Sequence, residues 1–383
     1  MNRRRTAAAA IVLGSLWLAL AGCGEKIAIP EARGLFSVAP YYVDGELVVN
    51  DPRQVLTVQG NLFVLAADSL TKRDQAFNLI AAATGFGDAR AMCGDDGDSL
   101  VFVWDQDRRE VQWLSARTLE PLVGLPSVTV LPDVQRCTAM ATSRAGVEQV
   151  PGAVTFLYLA DPDSGVVHRY AYEPFTGLIP HGILCRGDGD GTRFVHVPGG
   201  MARDYEDSLL VCDLDTLRNW VIRFHSVPDV TDTATTGPDP LRGQAALFDA
   251  ATCNPPAAVD YVLGDAAECD EGDWQGGPSS ADGEFHLPSA VTVDGSGRIY
   301  VADTRNDRIQ LFDSGGYYQV YYGTAETTPA PVSVAVVDVR TGGGADEINH
   351  GAYMYLVSGG LVRKYISGEH YNHLNAGLPP PEQ

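Results

Sequence analysis

Six short runs in this chain are apolar at nearly every position. They are LFVLAAD ending at Asp68, LVFVWD ending at Asp105, FLYLAD ending at Asp161, SLLVCD ending at Asp213, RIYVAD ending at Asp303 and YMYLVS ending at Ser358. A strand with one wet face alternates apolar and polar residues, because its side chains point to opposite faces in turn. These runs do not alternate, so each must be covered on both faces. Helices do that covering in α/β proteins. The connectors here are rich in Gly, Pro, Asp and Thr, and amphipathic helical periodicity is scarce. The one rival is LTKRDQAFNLIAAA, Leu70 to Ala83, which can also be read as a helix. Without helices, other sheets must supply the cover.

The runs end at intervals of 37, 56, 52, 90 and 55 residues. Each is followed by a polar turn and a second strand-like run: QAFNLI, EVQWLS, VVHRYAY, NWVIRF, RIQLFD and LVRKYI. Upstream of two runs the match is closer still. HVPGGMARD starts at His196 and HLPSAVTVD at His286, and Pro198 and Pro288 stand in the same register ahead of Asp213 and Asp303. Repeated sheets that cover one another on both sides form a ring. The fold expected is therefore all-β: a six-bladed β-propeller, a closed ring of four-stranded antiparallel blades. The long fourth interval marks an insertion at about 226–284, holding TDTATTGPDP and the acidic ECDEGDW. Loops that long are functional or disordered. The organisation expected is a leader at 1–22, a linker at 23–40, the propeller at 41–370 and a flexible tail at 371–383.

The leader follows from Arg3, Arg4 and Arg5 and the apolar stretch from Ala7 to Ala21, which is short for a membrane span and suits a signal sequence. It ends in Leu20-Ala21-Gly22-Cys23, which resembles the signal of bacterial lipoproteins. The resemblance implies a diacylglyceryl group on the Cys23 thiol and a fatty acid such as palmitate on the new amino terminus. Two or more such chains anchor a protein stably. It places the chain in the cell envelope, and Gly24, where an Asp would retain it, favours the outer membrane. Removing residues 1–22 takes away three Arg and no acid, moving the formal charge from −22 to −25. That charge argues against nucleic acid, which needs Lys and Arg against phosphate. Six cysteines remain: Cys93, Cys137, Cys185, Cys212, Cys253 and Cys269. An even number in an exported chain suggests disulfides, and several connectivities are open. Pairing in chain order is expected: Cys93–Cys137, Cys185–Cys212 and Cys253–Cys269.

The opening of the fifth repeat carries a second resemblance. Pro288 to Asp294, followed by GRIYVADTRNDRIQLFD, resembles the NHL repeat; Val197–Phe224 is a fainter copy. Such repeats build six-bladed propellers. The resemblance implies that Pro198 and Pro288 head inner strands. It also implies that Asp303, with Asp213 as its counterpart, and Asn306 and Arg308 organise hairpins; Asp and Asn suit turns by bonding nearby amides. Related propellers include zinc-dependent lyases and calcium-dependent lactonases, whose ligands project into the central channel. The lyases place a His directly after the inner-strand Pro, where this chain has Gly199 and Ser289. His196 and His286 are the weak zinc candidates, and zinc wants a third ligand. GDGDGT, from Gly187, and GDDGDS, from Gly94, resemble fragments of calcium loops but lack the terminal Glu. No catalytic residue or cofactor is expected. The function expected is a monomeric, lipid-anchored binding or scaffold module for an envelope protein, peptide or glycan. The alternative is a metal-dependent lyase or lactonase.

Overall fold

The computed structural model describes residues 41–144, 147, 150–184, 195–204, 206–216, 219–224, 259–263, 278–341 and 348–374. The leader, Cys23, the linker, Cys185, Cys253, Cys269, GDGDGT, TDTATTGPDP and ECDEGDW lie outside the described residues.

The first strand, β1 (Tyr41–Leu47), is held back for closing the ring. The next twenty make five blades, each a meander paired in chain order. They are β2 (Pro52–Val58), β3 (Asn61–Ala66), β4 (Ser69–Arg73) and β5 (Leu79–Thr84); then β6 (Ala89–Asp95), β7 (Leu100–Asp105), β8 (Glu110–Ser115) and β9 (Val128–Val130). The third blade is β10 (Ala139–Ser143), β11 (Thr155–Asp161), β12 (Val166–Glu173) and β13 (Gly177–Leu184). The fourth is β14 (Pro198–Arg203), β15 (Leu209–Asp213), β16 (Val221–Phe224) and β17 (Val259–Leu263). The fifth is β18 (Pro288–Val293), β19 (Ile299–Asp303), β20 (Arg308–Phe312) and β21 (Tyr318–Tyr322). The sixth uses β22 (Ser333–Thr341), β23 (Ile348–Ser358) and β24 (Leu361–Ser367), and takes β1 as its outermost strand. The fold is a six-bladed β-propeller of four-stranded antiparallel blades.

The six apolar runs are the second strands of the blades, and their burial explains their composition. Every residue of β7, β11, β15 and β19 is buried. Each apolar cluster spans two neighbouring blades. Phe102 and Trp104 of the second blade pack with Leu157 and Tyr172 of the third, and Val55 and Leu62 of the first with Ala335 and Tyr355 of the sixth. Fully burying one such side chain contributes roughly 1.5–3 kcal/mol. Aromatic rings serve the joint between the fifth and sixth blades. Tyr41 of β1 meets Tyr300 and Tyr322 edge-on, at 6.3 and 4.9 Å between centroids. Its hydroxyl shares a 3.2 Å hydrogen bond with that of Tyr300, which donates to Asp294. The first described residue is thus locked into the blade before the one it completes.

Four expectations need correction. QAFNLI was expected to be the strand after the first run, but Leu70–Ala83, whose rival reading was a helix, is β4, a turn and β5. Asp74 decides this by accepting hydrogen bonds from the amides of Ala76 and Asn78, at 2.9 and 2.8 Å, which folds the chain back. QAFNLI therefore straddles that turn, and the third strand of the first blade is SLTKR. The 226–284 insertion does not interrupt the ring as one loop, because Val259–Leu263 within it forms the outer strand of the fourth blade. The Cys93–Cys137 disulfide is absent. Both thiols are buried and free, as is Cys212, whose expected partner lies outside the described residues. Cys137 donates instead to the Ala139 carbonyl at 3.2 Å, and burial pushes all three thiols up, favouring the protonated form. Beyond β24, Gly368–Leu374 forms the short helix α1, so residues 371–374 of the expected tail are helical.

An inner strand of a propeller leaves one edge unpaired towards the axis, and unpaired edge groups are costly when buried. Here the neighbouring blade supplies partners. Gln54 makes a double bond of amide to backbone: its Nε2 donates to the Met92 carbonyl at 2.9 Å and its Oε1 accepts from the Met92 amide at 2.7 Å. Thr57 donates to Val336, Thr142 to Gly94, Thr138 to Pro198 and Ser289 to Pro331. Between the fourth and fifth blades the strands approach more closely. A Cβ on Gly200 would lie 2.5 Å from the backbone of Ser289 and Ala290. Gly200→Ala must push two blades apart, a cost of roughly 1–3 kcal/mol or more for overpacking. Urea denaturation checks it: a lowered midpoint is expected, and an unchanged one contradicts the close approach.

Candidate functional site

The blades are tied at one face by a repeated carboxylate. Asp105, Asp161, Asp213 and Asp303 end their second strands and are fully buried. Each accepts hydrogen bonds from backbone amides of the segment that leads into its own inner strand. Asp105 takes Gly87 at 2.7 Å, Asp161 takes Gln135 at 2.8 Å, Asp213 takes His196 and Val197 at 3.0 Å, and Asp303 takes His286 at 2.7 Å. The same carboxylates collect the hairpin to the third strand, as in the Ser164 hydroxyl donating to Asp161 at 2.9 Å. A buried charge is tolerated when hydrogen bonds replace its water. The strand pairing shows that Asp68 is not a member of this set. Pro52 stands opposite Ala66, so the equivalent position in the first blade is an alanine. In the sixth it is the buried Ser358, which donates to the Pro329 carbonyl at 2.7 Å and so ties its loop with reversed polarity.

That anchoring fixes where each inner strand starts. Four of the six begin with a register shift, after Pro52, Ala89, Pro198 and Pro288. Such bulges re-aim a side chain. The axial opening is lined by Arg53, Arg90, Thr138, Gly200, Ser289 and Val332, around a neck of about 60 Å3. On one side of it, across the first three blades, a cavity of about 630 Å3 opens, where Arg53 and Arg90 are joined by Arg136, Gln106 and Gln135. On the other side lies the channel, about 170 Å3, bounded by inner-strand segments such as Val55–Thr57, Met92–Gly94 and Val291–Val293, with Arg203 its one cation.

The arginines of the mouth are paired with acids. Arg53 bridges blades, contacting Asp51 at 3.0 Å, Asp88 by a short ion pair and the Ala89 carbonyl at 2.7 Å. Arg90 reaches Asp88 through Nε at 2.6 Å. Burial would raise the Asp88 carboxyl, but Arg53 and Arg90 outweigh it and hold it below the usual range. Arg136 pairs with Asp163 at 2.7 Å. None of these residues was expected from sequence. A signal did exist: Asp51-Pro52-Arg53 and Asp88-Ala89-Arg90 repeat the pattern Asp-x-Arg with the 37-residue interval of the first two runs.

The residues singled out from sequence sit elsewhere. Pro198 and Pro288 are the first residues of β14 and β18. Asn306 donates to Asp303 at 2.8 Å and to the Ser279 carbonyl at 2.6 Å. Arg308, buried, donates to Asp303 at 2.8 Å and to the carbonyls of Ser280, Ala281 and Glu284. These two gather the loop into the fifth blade as well as the hairpin. His196 and His286 precede their inner strands on the same face, but their rings stay within their own blades. His196 meets Asp215 at 2.7 Å, and His286 meets Arg305 at 3.4 Å. Neither lines the channel or the cavity at its mouth. Among the described residues, no three His, Cys, Asp or Glu are grouped to hold a metal. GDDGDS is a tight turn: Asp95 accepts from the Gly97 amide at 2.8 Å and from Arg144 at 3.1 Å, so a guanidinium occupies the cation's place.

A family model described as NHL repeat matches residues 285–312, the fifth blade up to its third strand. No curated protein sequence matches the chain. Solved structures share the fold. The β-propeller domain of Cps50 (Swd1) from Myceliophthora thermophila has a TM-score of 0.51 at 8% identity, covering 85% of this chain and 99% of that one. A streptogramin B lyase structure has a TM-score of 0.47 at 11% identity, covering 85% and 98%. Regucalcin from Agrobacterium tumefaciens, titled a calcium-binding protein, has 0.48 at 12%, covering 87% and 97%. The chain is a six-bladed β-propeller carrying an NHL repeat.

The buried carboxylates make stability depend on pH. Burial would raise the Asp161 carboxyl, but His168 at 3.6 Å and the donors from Gln135 and Ser164 outweigh it and hold it at about 2. An unfolded Asp titrates near ~3.9. Its stabilisation is therefore complete above that value, on the order of 2 kcal/mol, and is lost as pH falls towards the folded value. The gap in unfolding free energy between the wild type and Asp161→Asn should narrow between about pH 5 and pH 2. A gap independent of pH would contradict the assignment.

Proposed function

We propose that this protein is a non-enzymatic binding module of the cell envelope, held to the membrane by lipid on Cys23 and presenting the mouth of its ring to a ligand. The residues that ring the axial opening carry the reading. Propeller enzymes of the kinds considered need metal ligands projecting to the axis, chiefly imidazoles and carboxylates. Here those places hold Arg53, Arg90, Thr138, Gly200, Ser289 and Val332, with no imidazole or carboxylate among them. Guanidinium and hydroxyl groups recognise ligands by hydrogen bonding. Below them, the hydroxyls and the carboxamide of Gln54 are committed to joining neighbouring strands. A rigid ring whose loops gather at its faces suits recognition. The leader and the Gly22-Cys23 junction support the anchor and the envelope location.

Metal analysis of the detergent-solubilised full chain tests the first part. Far less than one zinc or calcium per chain is expected, unchanged by His196→Ala or His286→Ala. One tightly held ion per chain, lost in those variants, would favour the metal-dependent enzyme. Metabolic labelling with an alkynyl fatty acid tests the second. Label and membrane fractionation are expected for the wild type and lost in Cys23→Ala; a soluble, unlabelled wild type overturns the anchor.

A further inference from the structure

The cavity at the mouth, about 630 Å3, falls within the size range of small-ligand sites, roughly 300–1,000 Å3. Its polar groups divide into two kinds. Some are committed to the fold. Arg53 is saturated by Asp51, Asp88 and the Ala89 carbonyl. Gln106 accepts from the Trp104 ring and donates to the Gln135 carbonyl at 2.8 Å. Others are open. Arg90 meets Asp88 through Nε and makes no other hydrogen bond or ion pair with a described residue. The Arg136 side chain meets Asp163 alone among them. Gln135 uses only its backbone, and its carboxamide has no described partner. The side chains of Arg90 and Arg136 are 49% and 50% exposed, so their free guanidinium edges face solvent in the cavity.

Charge decides which ligand suits these edges. Arg53, Arg90 and Arg136 are balanced one for one by Asp51, Asp88 and Asp163. An anion would find no surplus positive charge there. It would also approach a chain whose formal charge is −22, which repels it at long range. A cation would have to displace a guanidinium. What the wall offers is N–H donors set beside carboxylate acceptors, in planes fixed by their own ion pairs. Neighbouring hydroxyl groups match that alternation, since each can donate to a carboxylate and accept from a guanidinium or an amide.

We propose that the mouth cavity binds a short, uncharged stretch of oligosaccharide, with Arg90, Arg136 and Gln135 donating to its hydroxyls and Asp51 and Asp163 accepting from them. The proposal rests on the binding-module reading and names its ligand class. Carbohydrate hydroxyls give many moderate bonds, and each bond to a charged group contributes about 1.5–3 kcal/mol. The guanidiniums are therefore the groups whose loss is felt most.

Calorimetric titration of the detergent-solubilised full chain tests it, with maltotriose, cellotriose and chitotriose as neutral probes and trigalacturonate as the acidic one. At least one neutral trisaccharide should bind saturably, with affinity nearly the same at low and high salt. Arg90→Ala and Arg136→Ala should each weaken it by ~10-fold or more, as expected for a lost bond to a charged group. Arg136→Gln, which keeps an N–H donor, should recover part of that loss. Arg136 is on the surface, so its variants should melt with the wild type and report on binding alone. Three results would overturn the proposal: no binding of any neutral probe, wild-type affinity in both alanine variants, or salt-sensitive binding of trigalacturonate alone. The non-enzymatic reading would survive each of them, because it fails on stoichiometric metal instead.

Discussion

A sheet that is apolar on both faces has to be covered twice, and this requirement shapes the whole molecule. The second strands of the blades leave no polar face to give to water, and no described helix is placed to cover them. Each blade therefore takes cover from two neighbours, and a row of blades still has two bare ends. Only a ring removes them. The sixth blade completes its sheet with the first described strand, so that Tyr41–Leu47 pairs with Leu361–Ser367. Both ends of the ring-forming chain are thereby locked into one sheet. The Tyr41, Tyr300 and Tyr322 cluster extends that lock into the fifth blade.

Apolar cover alone would leave two sets of backbone groups unsatisfied, and polar residues at fixed places meet them. At the face where inner strands start, a buried Asp binds the amides of the incoming segment in four blades, and Ser358 binds a carbonyl in the sixth. Along the axis, Gln54, Thr57, Thr138, Thr142 and Ser289 bind the free edges of adjacent inner strands. These contacts run between blades, so they set the width of the channel as well as the stability of the ring. One residue per blade lines the opening. The ring is regular in backbone and irregular in what it presents: two arginines on the first two blades, small or hydroxyl-bearing residues on the third to fifth, and a valine on the sixth.

Much of the framework was legible because it repeats. Pro198 with Asp213 and Pro288 with Asp303 stand in one register, and the six apolar runs give the blade count. The failures have local causes. QAFNLI reads as one strand, but the aspartate turn at Asp74 takes up its first four residues. Asp68 ends its run in the sequence but lies beyond the position that pairs with the strand head. Cys93 and Cys137 met the even count expected of disulfides, yet they are buried free thiols, and Cys137 donates to a backbone carbonyl. The outer strand at Val259–Leu263 was hidden inside what read as one long loop. The mouth arginines were overlooked because the blades that carry them match the repeat least well.

The sequence by itself determined that the strands need cover on both sides, that six of them recur, and that an Asp ends most of the runs. These are properties of local composition and spacing, which act on every copy of the repeat alike. Tertiary structure alone decided which residues meet. Arg53 and Arg90 come from different blades and share Asp88, and Arg136 reaches the same cavity from a third. The repeated Asp-x-Arg pattern marks two of these residues, but that they meet depends on how the closed ring sets neighbouring blades side by side.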